Sequence, residues 1–229
     1  VEAAPSPARP NTYGTILRLD GVDMASGLLP ATVVSAPGGG LLPISVAPVT
    51  QVAGWTTYPI GSWASTTNWH SQEFPDGADV AALFGGTITR SRSVSVDEPV
   101  TVKEVSFNNS HSYAIIGRGS VTLESDSGNA AVRVFQGDHQ FQANVALGND
   151  TNVTIGNGSS LAFNNTLDLG GNTLTKLGGG ELAIRNTLVT SGGTIDIQGG
   201  TVSGNGTVGG DLLSLIHISE PTRRTPISY

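Results

Sequence analysis

A right-handed parallel β-solenoid with three short strands per coil is the fold this sequence predicts, and three observations carry it. Between Val153 and Val208 an apolar residue marks the middle of a short strand every six to eight residues, at Val153, Leu161, Leu167, Leu174, Leu182, Leu188, Ile195, Val202 and Val208. Every third one recurs after 20 or 21 residues: Val153 to Leu174 to Ile195, Leu161 to Leu182 to Val202, Leu167 to Leu188 to Val208. Glycine or asparagine falls between the strands, and no 3.6-residue apolar period appears that would mark a helix. A repeating unit of that length buries its apolar face only by stacking on its neighbours, which is the logic of a solenoid. The class is therefore all-β.

The chain divides into four stretches. Residues 1–53 are rich in Pro, Gly and Ala and read as a linker or the remnant of an upstream unit, with a strand signal at Thr15–Asp20. Residues 54–87 gather Trp55, Tyr58, Trp63, Trp69, Phe74 and Phe84, including all 3 Trp of the chain. A solenoid leaves apolar surface and unpaired strand edges at its open end, so this Trp-rich stretch reads as an N-terminal cap. Residues 88–212 form the solenoid proper. Strands are expected at Ser93–Val96, Val100–Phe107, Tyr113–Ile116, Ser120–Glu124, Ala130–Phe135 and His139–Leu147, ahead of the regular coils. Turns fall at Asn108-Asn109, Gly117-Arg118-Gly119, Gly128-Asn129 and Gly137-Asp138, where residues that tolerate positive φ are available. The less regular strands before residue 150 leave a β-sandwich or jelly roll as the competing arrangement.

Residues 213–229 break every habit of the preceding solenoid: Gly and Asn vanish, the strand period stops, and Arg223-Arg224 appears. This run resembles the conceptual translation of a sequencing adaptor, which makes it a non-native tail and the solenoid a truncated one. The start, Val1-Glu2-Ala3-Ala4-Pro5, carries neither Met nor a signal-peptide pattern and reads as the beginning of an internal fragment.

Composition narrows the function. The formal net charge is -7, and the 11 basic residues are scattered, so no basic face is available to displace phosphate counterions from a nucleic acid. With 0 Cys there is no disulfide, no thiol catalysis and no Cys-ligated metal. No stretch approaches the roughly 20 apolar residues of a membrane span.

Several segments carry a resemblance. Trp63…Asn68-Trp69…Pro75-Asp76-Gly77-Ala78-Asp79-Val80-Ala81…Phe84, Val94 to Val102, and Val105-Ser106-Phe107-Asn108-Asn109-Ser110 resemble a group of large secreted bacterial proteins. These are the proteins with autotransporter-type β-strand repeats, including those with PEP-CTERM or dockerin-type tails. Leu174-Thr175-Lys176-Leu177-Gly178-Gly179-Gly180-Glu181-Leu182 is similar to the core of that repeat. The resemblance spans roughly residues 55–211. It implies a β-helical segment, secreted or at the bacterial cell surface, structural or adhesive in role and without enzymatic activity.

Gly204-Asn205-Gly206-Thr207-Val208-Gly209 matches a dinucleotide fingerprint in letters only, since strands flank it and no helix pattern follows. The carboxylate pairs Asp76/Asp79, Asp97/Glu98 and Glu124/Asp126 could serve a polysaccharide-degrading β-helix as acid and base. Adjacent Asp97 and Glu98 would point to opposite faces of a strand, and Arg118 and Arg133 sit near acids in sequence but nothing shows that they share a face with them. His70, His111, His139 and His217 lack metal-ligand spacing and read as exposed turn or strand residues. Asp20-Gly21-Val22-Asp23 has a loose likeness to a Ca²⁺ loop but lacks the later ligands. Trp63, Trp69 and Tyr58 are candidates for stacking on sugar rings, against the reading that they pack as the cap. Asn-x-Ser/Thr sequons start at Asn108, Asn149, Asn152, Asn157, Asn164 and Asn205 and read as turn asparagines, with Asn165 and Asn186 one coil apart as an amide ladder. No catalytic residue, cofactor or metal is assigned. The expected partners are surface glycans or other cell-surface proteins, with end-to-end self-association. Deleting residues 213–229 is expected to leave the thermal unfolding transition essentially unchanged; a tail whose removal unfolds the last coils would contradict the adaptor reading.

Overall fold

The computed structural model describes residues 34–35, 41–42, 51–57, 60–205 and 208–214. The strand signal at Thr15–Asp20, the Asp20–Asp23 loop, Tyr58 and residues 215–229 lie outside them. A short antiparallel pair, β1 (Val34–Ser35) with β2 (Leu41–Leu42), stands apart. Every other strand pair is parallel.

The first coil holds β3 (Gln51–Gly54) and β4 (Gly61–Ser62), followed by a 3₁₀ turn at Thr66–Asn68. The second runs through β5 (Gly77–Phe84), β6 (Arg92–Ser95) and the start of β7 (Val100–Asn108). The rest of β7 bends onto the next face and leads to β8 (Tyr113–Ile116) and β9 (Ser120–Leu123). Then come β10 (Ala130–Gln136), β11 (Asp138–Phe141) and β12 (Asn144–Leu147), and after them β13 (Thr151–Ile155), β14 (Ser160–Phe163) and β15 (Leu167–Asp168). The last coils use β16 (Thr173–Leu177), β17 (Glu181–Ile184), β18 (Leu188–Ile197), β19 (Thr201–Gly204) and β20 (Val208–Ser214). One face is a 7-stranded sheet in the order β19-β17-β14-β11-β8-β6-β4. The other two faces join into an 11-stranded sheet because β7 and β18 each turn a corner and pair on both.

Among the described residues the coils thus run from Gln51, ahead of the boundary expected at residue 88. β3 and β5 pair in the same sheet as the later coils, so the Trp-bearing stretch is itself part of the stack, with its aromatic cluster near the N-terminal region. Short Ala and Gly runs at Ala53-Gly54 and Ala81-Ala82 hide the alternation that identifies later strands. The stretch expected as one strand from His139 to Leu147 is two. A corner separates them at Gln142-Ala143, whose amides both donate to Ile115 O, at 2.7 and 3.0 Å.

The predicted columns stack as the 20–21-residue period requires, with one exception. Leu161 pairs with Leu182 and Leu182 with Val202; Leu167 pairs with Leu188 and Leu188 with Val208; Leu174 pairs with Ile195. Val153, however, pairs with Lys176, and Leu174 pairs with Thr151. The cause is a shorter corner. β14 begins nine residues after Thr151, whereas β17 begins seven after Leu174, so β16 slides by two residues and keeps its face.

That slide places Lys176 in the inward column Val132–Val153–Lys176–Ile197, with 0% of its surface exposed. An ammonium has three donors. All are used: Nζ donates to Leu177 O at 2.9 Å, Gly178 O at 2.9 Å and Gly199 O at 3.1 Å. Burial pulls its pKa down to about 8, which leaves it charged at neutral pH. The glycines around it make room, since a Cβ on Gly200 would come within 2.2 Å of Gly180 O and 2.9 Å of Lys176 Nζ. The Lys-x-Gly-Gly-Gly run is therefore a corner device, in which a cation gathers carbonyls that a tight turn leaves pointing inward.

Other corners are stapled by side chains that reach the neighbouring coil. Asn109 donates to Gly85 O and Ile88 O, and Asn172 to Leu147 O. Asp76 and Asp150 accept from the amides of Thr101 and Thr173, each at 2.8 Å. Asn165 and Asn186 hold equivalent places and donate backward, to Gln142 O at 3.1 Å and Asn164 O at 3.4 Å. Such bonds satisfy backbone groups that the strand ladder leaves open at a bend. Gly117, Gly128 and Gly137 take positive φ as their turns require, whereas Asn109 does not and is buried. Replacing Lys176 by Met orphans three carbonyls and is expected to lower stability by about 2–4 kcal/mol in chemical denaturation; an unchanged midpoint would contradict this role.

Candidate functional site

The densest chemistry lies at the N-terminal end. Trp55, Trp63 and Trp69 meet there around Phe84: Trp55–Trp69 and Trp63–Trp69 centroids are both 5.1 Å apart, and Trp63–Phe84 is 5.6 Å. Trp63 is 0% exposed and Trp69 2%. Each indole N–H has a carbonyl, with Trp63 donating to Pro75 O, Trp69 to Trp63 O and Trp55 to Thr57 O. A ring that stacks on a sugar must present an open face. Those of Trp63 and Trp69 pack against one another and against Phe84, so the two rings fill the first described coil. An open depression beside them is lined by Thr66, Thr67, Trp69, His70 and Gln72.

From Phe84 the aromatic contacts continue up the interior. Phe84 stacks on Phe107 at 5.3 Å, Phe107 on the ring of His139 at 4.6 Å with 12° between planes, and Phe141 on Phe163 at 5.4 Å. His139 is 2% exposed, which corrects its reading as a surface residue. β11 alternates Asp138 out, His139 in, Gln140 out and Phe141 in, so the inward position falls on the imidazole. Both ring nitrogens are committed: Nδ1 accepts the amide of Tyr113 at 3.1 Å, and Nε2 faces Gln136 O at 2.9 Å. The accepting role of Nδ1 assigns the proton to Nε2. The Tyr113 hydroxyl donates to Gly85 O, and burial pushes its pKa up.

Asp76 is bound to the Thr101 amide. Asp97 and Glu98 are exposed in the turn before Pro99, and Glu124 and Asp126 are exposed around buried Ser125. Arg118 is exposed in its glycine turn, and Arg133 pairs instead with Glu104 at 3.0 Å, a partner that the irregular spacing of β7 and β10 concealed. Lys103 is buried and donates to Ser127 O; that burial lowers its pKa, against the raising influence of Glu104, Asp79 and Asp126. Among the described residues no group of three or more His, Asp and Glu stands where it could hold a metal ion. Gly204 and Gly209 of the Gly-x-Gly-x-x-Gly run belong to β19 and β20, a strand-to-strand setting. Among the described residues no helix is long and apolar enough to cross a membrane.

The fold defines a parallel β-solenoid. No protein-family model, curated protein or solved structure matches the chain.

His139 generates a pH prediction. Burial holds its pKa down at about 4, against an ordinary value of 6.5, while backbone partners and Asp138 oppose that shift. The unfolded chain therefore takes up this proton at higher pH than the folded one. The stabilisation is complete above about 6.5 and is lost as pH falls toward 4. Denaturation is expected to show a loss of about 2 kcal/mol between pH 7 and pH 5. A His139→Gln variant should abolish that slope; a variant that keeps it would refute the assignment.

Proposed function

We propose that this solenoid is a structural or adhesive segment of a secreted or cell-surface bacterial protein and performs no catalysis. The carrying observation is where its polar side chains go. Asp76, Asp150, Asn109, Asn165, Asn172, Asn186 and Lys176 all bond to backbone of the solenoid, most of them to a neighbouring coil. The interior is filled with stacked rings and aliphatic columns. Such a body is a stiff spacer that presents its outer faces. The resemblance of residues 55–211 to autotransporter-type repeats supports export and display. Surface glycans, other cell-surface proteins and further copies of the chain are the partners such a rod would meet.

A glycan-binding or polysaccharide-degrading role is the competing reading, favoured by the polar depression around Thr66, Thr67, His70 and Gln72. Two measurements separate them. Antibodies against the solenoid are expected to label intact cells of the source organism, and labelling only after lysis would overturn surface display. A screen of acidic and neutral glycans, with and without Ca²⁺, is expected to release no reducing or unsaturated ends. Turnover that disappears in a Glu124→Ala or Asp97→Ala variant would establish the enzyme instead.

A further inference from the structure

A parallel coil carries two edges, one toward the coil before and one toward the coil after. In the first coil the outgoing edge is used normally: Trp55 N donates to Leu83 O and Trp63 N to Ser95 O, both at 2.8 Å. On the opposite edge stand, among others, Gly54 O, Thr56 N and Ser62 O, groups a preceding coil would bond. All three are occupied by residues of the same coil. His70 N donates to Gly54 O at 2.8 Å, and Thr56 N to Asn68 O at 2.9 Å. Asn68 Nδ2 donates to Ser62 O at 2.8 Å, and Thr57 Oγ1 to Asn68 Oδ1 at 2.6 Å. The chain reverses through the Thr66–Asn68 turn to do this, so Trp69 bridges Trp55 in the antiparallel sense, the one antiparallel contact within the described solenoid.

We propose that Trp63–Gln72 seals the N-terminal end of the solenoid against another coil. Parallel stacking needs a free edge of matching direction, and this end presents a reversed segment whose inner groups are taken. The inference restricts the end-to-end association proposed above, which rests on the rod reading. A second copy cannot add its last coil to this first one, so the head-to-tail contact that would generate an open filament is closed off. Association through ends is then left to the C-terminal coils of two copies, and it stops at a pair.

The test is solution mass against concentration. The full chain is expected to stay within twice the monomer mass in analytical ultracentrifugation from low to high micromolar concentration. The double variant Asn68→Ala/His70→Pro frees Ser62 O and removes the donor to Gly54 O while retaining every indole. Trp69, at φ -120 and ψ 143, already has the extended backbone that a residue before proline requires. With circular dichroism and Trp fluorescence unchanged, this variant is expected to grow past two copies as concentration rises. A folded variant with the parent's mass distribution, or a parent chain that itself forms filaments, would overturn the seal. Hydrogen exchange on the unaltered chain gives an independent reading: slow exchange at the amides of Thr56 and His70 is expected, and free exchange at both refutes the proposal.

Discussion

Everything in this molecule depends on like side chains falling above like in successive coils. Parallel strands lie about 4.8 Å apart, so an inward side chain contacts the equivalent side chain of the next coil more closely than anything else. The interior is a set of columns, and a column tolerates little change in shape from one level to the next. This explains why Leu161, Leu182 and Val202 can follow one another directly, and why rings follow rings from Trp69 through Phe84 and Phe107 to His139. His139 belongs in that series by shape. Its nitrogens are accommodated because the Tyr113 amide and Gln136 carbonyl happen to face them.

The columns were legible in the sequence wherever coil length was constant. Strand centres at Leu161, Leu167, Leu174 and their successors repeat at the coil period because their corners hold equal numbers of residues. The pairing of Val153 was misassigned for the same reason: two residues added at one corner shift the register without disturbing the apolar pattern. Side-chain period in a strand is two, so the shift leaves inward residues inward and produces no hydrophobic error for a reader to notice. What it does produce is a lysine where a valine column should continue. The positions between Gln51 and Phe107 were harder to read. Coil length varies there, and the bulge between Gly77 and Ala81 breaks the register further.

The site was less legible than the fold. Trp63 and Trp69 stand in loops, and loop aromatics are equally suited to display and to burial. Only the closure of the first coil on Phe84 decides between them, and that contact spans irregular chain. His139 could have been found from sequence by alternation, since Phe141 two residues later is a natural inward residue and His139 shares its parity. Glu104 and Arg133 could not, because the offset between β7 and β10 follows neither the coil period nor the spacing of their neighbours.

A stack of this kind is nearly one-dimensional, with each coil held by its two neighbours. An end coil has one neighbour only, and it meets that deficit by other means. Here the first coil does so with three buried indoles, each of a size whose truncation in a core costs about 3–5 kcal/mol. It also folds its own chain back onto its free edge. Interior coils need neither device, and their aromatic content falls beyond Phe163, where leucine and isoleucine columns suffice. No cluster comparable to the tryptophans recurs among the described residues, which is why a period-based reading of the chain could not anticipate their arrangement.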